Sequence, residues 1–65
     1  MSDDAVTLAE QIAEVHRECG VRRRVYPQWV AAGRLKPEQA ARKLAAMEAA
    51  FETLRELEAG EAGEP

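Results

Sequence analysis

The sequence has few of the residues that cross-link small proteins. Cys19 is its single cysteine and His16 its single histidine, so an internal disulfide is excluded and a zinc site would need carboxylates to complete four ligands. One core in a chain of 65 residues rarely contributes more than about 3–5 kcal/mol. Self-association is the remaining way to bury more surface, and we expect it here.

Long hydrophobic runs are also absent. No apolar segment approaches the ~20 residues of a membrane-spanning helix. The acidic beginning MSDDAVTLAE lacks the order of a signal peptide, in which basic residues precede an apolar stretch. A free thiol without an export signal is typical of the reducing cytosol. We therefore expect a cytoplasmic protein that makes no membrane contact.

The motifs of common active sites and cofactor sites are missing as well. The sequence has no glycine-rich phosphate loop, no Ser/His/Asp set and no cysteine pair. A nucleophilic pair of Cys19 and His16 would need a third, orienting group, so we interpret Cys19 as a small core residue and His16 as its polar neighbour. Glu48, Glu52 and Glu56 lack the histidine of a bundle metal site, which indicates a solvated stripe. We expect no enzymatic activity, cofactor or metal.

What the sequence does contain is helical periodicity. Alanine and leucine dominate its apolar residues, which favours helix over strand. In both halves, apolar residues recur at intervals of four and three positions, as on one face of a helix. These stripe residues are candidates for an oligomer core: Leu8, Ile12, Val15 and Cys19 in the first half, and Leu44, Met47, Phe51 and Leu54 in the second.

Local signals predict where the first helical region begins and ends. Ser2 is a favourable N-cap followed by acidic residues, which predicts a helix over 3–26. Pro27 removes a backbone donor and crowds the carbonyl of Arg23, so we expect a kink there and a short helical segment over 27–32. Gly33 is the expected C-terminal cap of that segment.

A second helix is predicted over 37–59. Pro37 suits the first helical position, and the side chain of Gln39 can return a capping bond. The Gly- and Glu-rich segment 60–65 is expected to fray. Together these elements predict an all-α protein: an antiparallel two-helix hairpin that dimerises into a four-helix bundle. Higher even oligomers, and a three-helix chain broken at Gly20, are the alternatives.

Charge is divided unevenly along the chain. Residues 1–16 carry a net charge of −4, residues 17–43 carry +6, and residues 44–65 carry −5. In an antiparallel hairpin both acidic segments meet at the end that holds the termini, and the basic segment forms the bend. The basic bend would receive an anionic partner, or two hairpins would pack head to tail; the third alternative is that the segregated charges form a merely solvated surface.

The bend also holds two aromatic residues among its basic ones. Arg22 falls on the apolar stripe and is expected to snorkel or to pair with a carboxylate. Basic patches with interleaved aromatic residues suit phosphates and stacked bases. The alternative is that the aromatic residues plug the bundle while the arginines are solvated. The candidates for binding a partner or an anion are Arg23, Arg24, Tyr26, Trp29, Arg34 and Lys36.

The segment from Arg22 to Leu57 resembles a set of short, uncharacterised helical proteins encoded by bacteriophages and prophages. The shared pattern is an arginine-rich segment, Val-Tyr-Pro, a short Trp/Leu-Val stretch, a glycine, and a helix with Ala, Met and Thr-Leu. In this sequence it comprises Arg22–Arg24, Val25-Tyr26-Pro27, Trp29-Val30, Gly33, Ala40, Met47 and Thr53-Leu54. Lys36 departs from the Ser or Thr expected before the second helix.

The resemblance implies a phage origin, and small phage proteins commonly act by binding host proteins. We therefore expect a non-enzymatic interaction module that self-associates and inhibits a host protein. A binder of nucleic acid or anionic nucleotides through the basic, aromatic bend is the alternative function. Purely structural oligomerisation is a third hypothesis.

Overall fold

The computed structural model describes residues 5–62, which form two antiparallel α-helices joined by a short bend. Helix α1 spans Leu8–Ala31 and helix α2 spans Pro37–Ala62. The molecule is a thin rod with extents of 49 × 26 × 13 Å. The predicted all-helical hairpin is therefore confirmed at this level, and the structure describes a single copy of it.

Helix α1 begins later than predicted, because Thr7 rather than Ser2 supplies the cap. The Thr7 hydroxyl accepts from the Glu10 backbone N–H at 3.1 Å, and the Glu10 carboxylate accepts from the Thr7 N–H at 2.8 Å. This reciprocal capping box satisfies two donors that a helix start otherwise leaves unpaired. Residues 5–7 are not helical, and Ser2 itself lies outside the described residues.

Helix α1 runs through both positions where a break was considered. Pro27 lies inside the helix, which continues to Ala31, so 27–32 is not a separate helical segment. Pro27 lacks the N–H that would donate to the Arg23 carbonyl, and α1 nevertheless continues for four residues beyond it. Gly20 is also helical, so the three-helix alternative is wrong for the described chain.

Gly33 reverses the chain, as predicted. Its φ of +74° lies in the left-handed region, which glycine adopts without a steric penalty. The Gly33 N–H donates to the Val30 carbonyl at 3.0 Å, and the Arg34 N–H donates to the Trp29 carbonyl at 2.9 Å. These two bonds form a Schellman motif that closes the end of α1.

Helix α2 begins at Pro37, and its start is capped by Gln39 as predicted. The Gln39 side-chain oxygen accepts from the Lys36 backbone N–H at 3.2 Å. The helix extends to Ala62, beyond the expected end at residue 59. Part of the segment that was expected to fray is thus helical, and residues 63–65 lie outside the described chain.

The core of the hairpin is small. Only Cys19, Tyr26 and Ala40 are buried among the described residues, with 2%, 8% and 9% of their surface exposed. The remaining oligomer-core candidates are half-buried: Leu8, Ile12, Val15, Leu44, Met47, Phe51 and Leu54. One hairpin therefore covers its apolar stripe incompletely.

Candidate interaction site

An open apolar groove of about 500 Å³ lies where the two helices approach the bend. Tyr26 and Ala40 are buried beside it, and Ala41 on α2 is too small to fill the space. Two prolines line the groove: Pro27, which lies inside α1, and Pro37, which begins α2. The lining residues are Arg22, Arg23, Tyr26, Pro27, Val30, Ala31, Pro37, Ala40, Ala41 and Leu44.

Two arginines at the rim of this groove are already paired with carboxylates. The Nε atom of Arg22 donates to Glu18 at 3.0 Å, which confirms the expected pairing, and its guanidinium lies 5.9 Å from the centre of the Tyr26 ring. Arg23 donates to Glu48 on the opposite helix through Nε at 3.1 Å and Nη2 at 2.8 Å. Arg23 therefore links the helices instead of joining Arg24 in an open basic patch.

The other basic residues of the bend are exposed and form no ion pair with a carboxylate in residues 5–62. They lie on α1, in the connection and on the first turns of α2, so the bend keeps a strong positive charge after its internal pairs are counted. We call this region the basic bend; its unpaired residues are Arg24, Arg34, Lys36, Arg42 and Lys43.

Tyr26 and Trp29 have different environments, although their rings are neighbours. The ring centroids lie 5.6 Å apart with planes tilted by 40°. Tyr26 is buried, whereas Trp29 is 40% exposed. Of the two aromatic residues expected either to plug the structure or to meet a ligand, Tyr26 is packed inside and Trp29 faces solvent.

The opposite end of the rod, which we call the open end, comprises residues 6–14 of the N-terminal part and 52–61 of α2. A second groove there, of about 590 Å³, has Glu10 and Glu14 at its edge together with Val6, Val15 and Leu54. Glu14 bonds the guanidinium of Arg17 at 2.9 Å, and this bond raises the pKa of Arg17. The open end is thus acidic, with apolar side chains between its carboxylates.

His16 packs against an aromatic ring. Its ring centroid lies 5.2 Å from that of Phe51, and the guanidinium of Arg55 lies 5.7 Å from the Phe51 centroid. Cys19 is buried as a small core residue, as expected. No group of three or more His, Cys, Asp or Glu side chains that could hold a metal ion occurs within the described part of the chain.

The sequence alone did not predict the groove or the Arg23–Glu48 pair. Both depend on the register of α1 against α2, and residues 25 positions apart give no periodic signal. The alanine-rich start of α2 was the available sign of a groove, because small side chains opposite Tyr26 leave space. A check of opposite charges across the predicted hairpin could have identified the ion pair.

The fold and the site define a two-helix hairpin with a basic bend, an acidic open end and incompletely covered apolar residues. Among residues 5–62, no helix has both the length and the apolar character needed to cross a membrane. No protein-family model, curated protein or solved structure matches the chain.

Proposed function

We propose that this chain is a small, non-enzymatic protein-interaction module that works as a self-associated helical bundle. The observation that carries the proposal is the incomplete cover of the apolar stripe. Seven of the eight oligomer-core candidates remain half-buried in the single hairpin. A second hairpin packed on this surface would bury it, since four-helix bundles form around apolar positions of this spacing.

The surface area of the chain supports this proposal quantitatively. A compact monomer of 7.2 kDa is expected to expose about 4,100 Å², whereas this chain exposes 5074 Å². The excess of roughly 950 Å² is comparable to the ~800 Å² that each partner contributes to a standard protein interface. The hairpin therefore has enough spare surface for one full interface.

We propose in addition that α1 is kinked at Pro27. The proline cannot donate to the carbonyl of Arg23, and its ring crowds that carbonyl. A bend at this position would turn the last turn of α1 toward α2 and would support the groove that Pro27 lines.

The target we propose is a host protein, bound in the cytoplasm, with inhibition as the outcome. The support is the phage-like pattern of Arg22–Leu57, together with a surface that offers half-buried helix faces. The self-associated bundle would present its outer helix faces to that target.

The proposal is tested first by the mass of the protein in solution. Light scattering during size exclusion and sedimentation equilibrium should give a dimer or a higher even oligomer. Leu57 is 56% exposed, so Leu57→Glu should weaken assembly while leaving helicity by circular dichroism unchanged. Ala59→Glu, with the same added charge on the same end of α2, is the matched control. A monomer at all concentrations up to the millimolar range would contradict the proposal.

A binder of nucleic acid or anionic nucleotides is the second candidate function, supported by the exposed ring of Trp29 beside unpaired cations. Stacking of a base on Trp29, with phosphates near Arg24 and Arg34, would quench the single tryptophan. Titration with a short single-stranded oligonucleotide should then show binding that weakens as salt rises. Arg24→Glu should abolish this binding and Arg55→Glu, at the other end, should not. Unchanged Trp29 emission with every anion would exclude this function.

A further inference from the structure

We infer that two copies of this chain associate antiparallel, so that the basic bend of each lies on the acidic open end of the other. This inference rests on the proposed self-association and adds its orientation. The partner that covers the surface at the bend is therefore a second copy of the same chain.

The exposed apolar side chains lie at both ends of the rod. Among residues 5–62, Val6, Trp29 and Leu57 are the large hydrophobic residues left exposed, at 66%, 40% and 56% of their surface. Trp29 lies at the bend, whereas Val6 and Leu57 lie at the open end. An antiparallel pair brings Trp29 of one copy to the end where the other copy exposes Val6 and Leu57. A parallel pair would place Trp29 beside Trp29, far from the Val6 and Leu57 side chains at the open end.

The two ends of the hairpin carry opposite charges. The basic bend retains unpaired cations, among them Arg24 and Arg34. The open end carries exposed glutamates on α2, among them Glu52 and Glu56. Antiparallel packing places opposite charges together at both ends, whereas parallel packing places like charges together at both ends, which is unfavourable at an interface. The same orientation therefore satisfies the apolar contacts and the charges.

The shape of the hairpin allows two copies to form a closed antiparallel dimer. The two helices span nearly the whole described chain, so two rods of equal length can overlap completely. In a fully overlapped antiparallel pair, the bend of each copy lies beside the open end of the other. A two-fold axis through the middle of the rod then gives two identical contacts and a closed dimer. The roughly 950 Å² of excess surface on each chain is sufficient for this contact.

Complementary charge reversal tests whether charged residues at the two ends contribute to association, and the cross-linking described below tests the orientation. One variant carries Arg24→Glu with Arg34→Glu, and the other carries Glu52→Lys with Glu56→Lys; all four positions are exposed. Each variant alone should show a dissociation constant raised at least ~tenfold, because like charges then meet at both contacts. An equimolar mixture should assemble as tightly as the wild type, which also demonstrates that both variants fold. Failure of the mixture to recover assembly would overturn the inference.

Cross-linking supplies an independent measurement. Ala32→Cys marks the bend and Ala59→Cys marks the open end, while the native thiol of Cys19 is buried. A short bis-maleimide should join the two marked variants when they are mixed and should join neither variant to itself. Bend-to-bend products would show a parallel dimer and refute the orientation while leaving self-association intact. A monomeric wild type would refute both the proposed function and this inference.

Discussion

Arg23 and Glu48 form the one ion pair between the two helices within residues 5–62. Both Nε and Nη2 of the arginine donate to the same carboxylate oxygen, at 3.1 and 2.8 Å. The two side chains are 55% and 43% exposed, so water screens their attraction. The pair is consequently expected to contribute little to the stability of the hairpin.

A double-mutant cycle measures this contribution. We expect Arg23→Gln and Glu48→Gln to show a coupling free energy of about 0.2–1 kcal/mol, as for other exposed ion pairs. The coupling should decrease in 1 M salt, where the screening length falls to about 3 Å. Urea unfolding at one fixed protein concentration gives both values. A coupling that does not respond to salt would show that the contact acts by packing and not by charge.

Gly20 and Gly33 should respond oppositely to alanine. Gly33 has a φ of +74°, so Gly33→Ala should lower the free energy of unfolding by about 1–2 kcal/mol. Gly20 is helical with nothing within 4 Å of an added Cβ, so Gly20→Ala should raise it by about 0.5–1 kcal/mol. Thermal unfolding of the two variants beside the wild type is the measurement. A loss of stability in Gly20→Ala would indicate that this position lies against a partner.

The capping box at Thr7 makes a comparable prediction. Thr7→Ala removes the acceptor of the Glu10 N–H and should cost about 1 kcal/mol. Thr53→Ala changes the same side chain at an exposed position inside α2 and should be neutral or slightly stabilising, because alanine favours helix. Chemical denaturation monitored by helicity compares them. Equal effects at the two positions would argue that the box contributes nothing.

Pro27 and Pro37 form a third matched pair. Pro27→Ala restores a donor inside α1 and should raise the free energy of unfolding by about 1–3 kcal/mol. Pro37→Ala acts at the first helical position, where the missing N–H is not required, and should change stability by less than about 0.5 kcal/mol. The comparison is made by urea unfolding. Destabilisation by Pro27→Ala would show that the ring itself packs in the groove.

Some features of this fold could be predicted from sequence because they depend on neighbours along the chain. The cap at Gly33, the bond between Lys36 and Gln39 and the pairing of Arg22 with Glu18 all join residues within five positions. Apolar spacing also indicated that Cys19 would be buried. These interactions are set by local geometry and need no knowledge of how the helices meet.

Other features were missed because two local signals competed or because the signal was not local. Ser2 and Thr7 are both good caps, but only Thr7 is followed three residues later by a glutamate that returns the bond. Pro27 predicts the end of a helical segment, yet α1 continues to Ala31 without the bond to the Arg23 carbonyl. Arg23 was assigned to a basic patch because its partner, Glu48, depends on the register between helices.

Of the three buried residues, Tyr26 and Ala40 lie near the bend and Cys19 lies at the middle of α1. Tyr26 and Ala40 line the same groove and are only 14 positions apart in the chain, so bringing them together closes a short loop at low entropic cost. Folding should therefore begin at the bend and proceed toward the termini, as a zipper closes. In the native state, backbone amides near the open end should exchange with solvent first, and those beside Tyr26 should be the last to exchange.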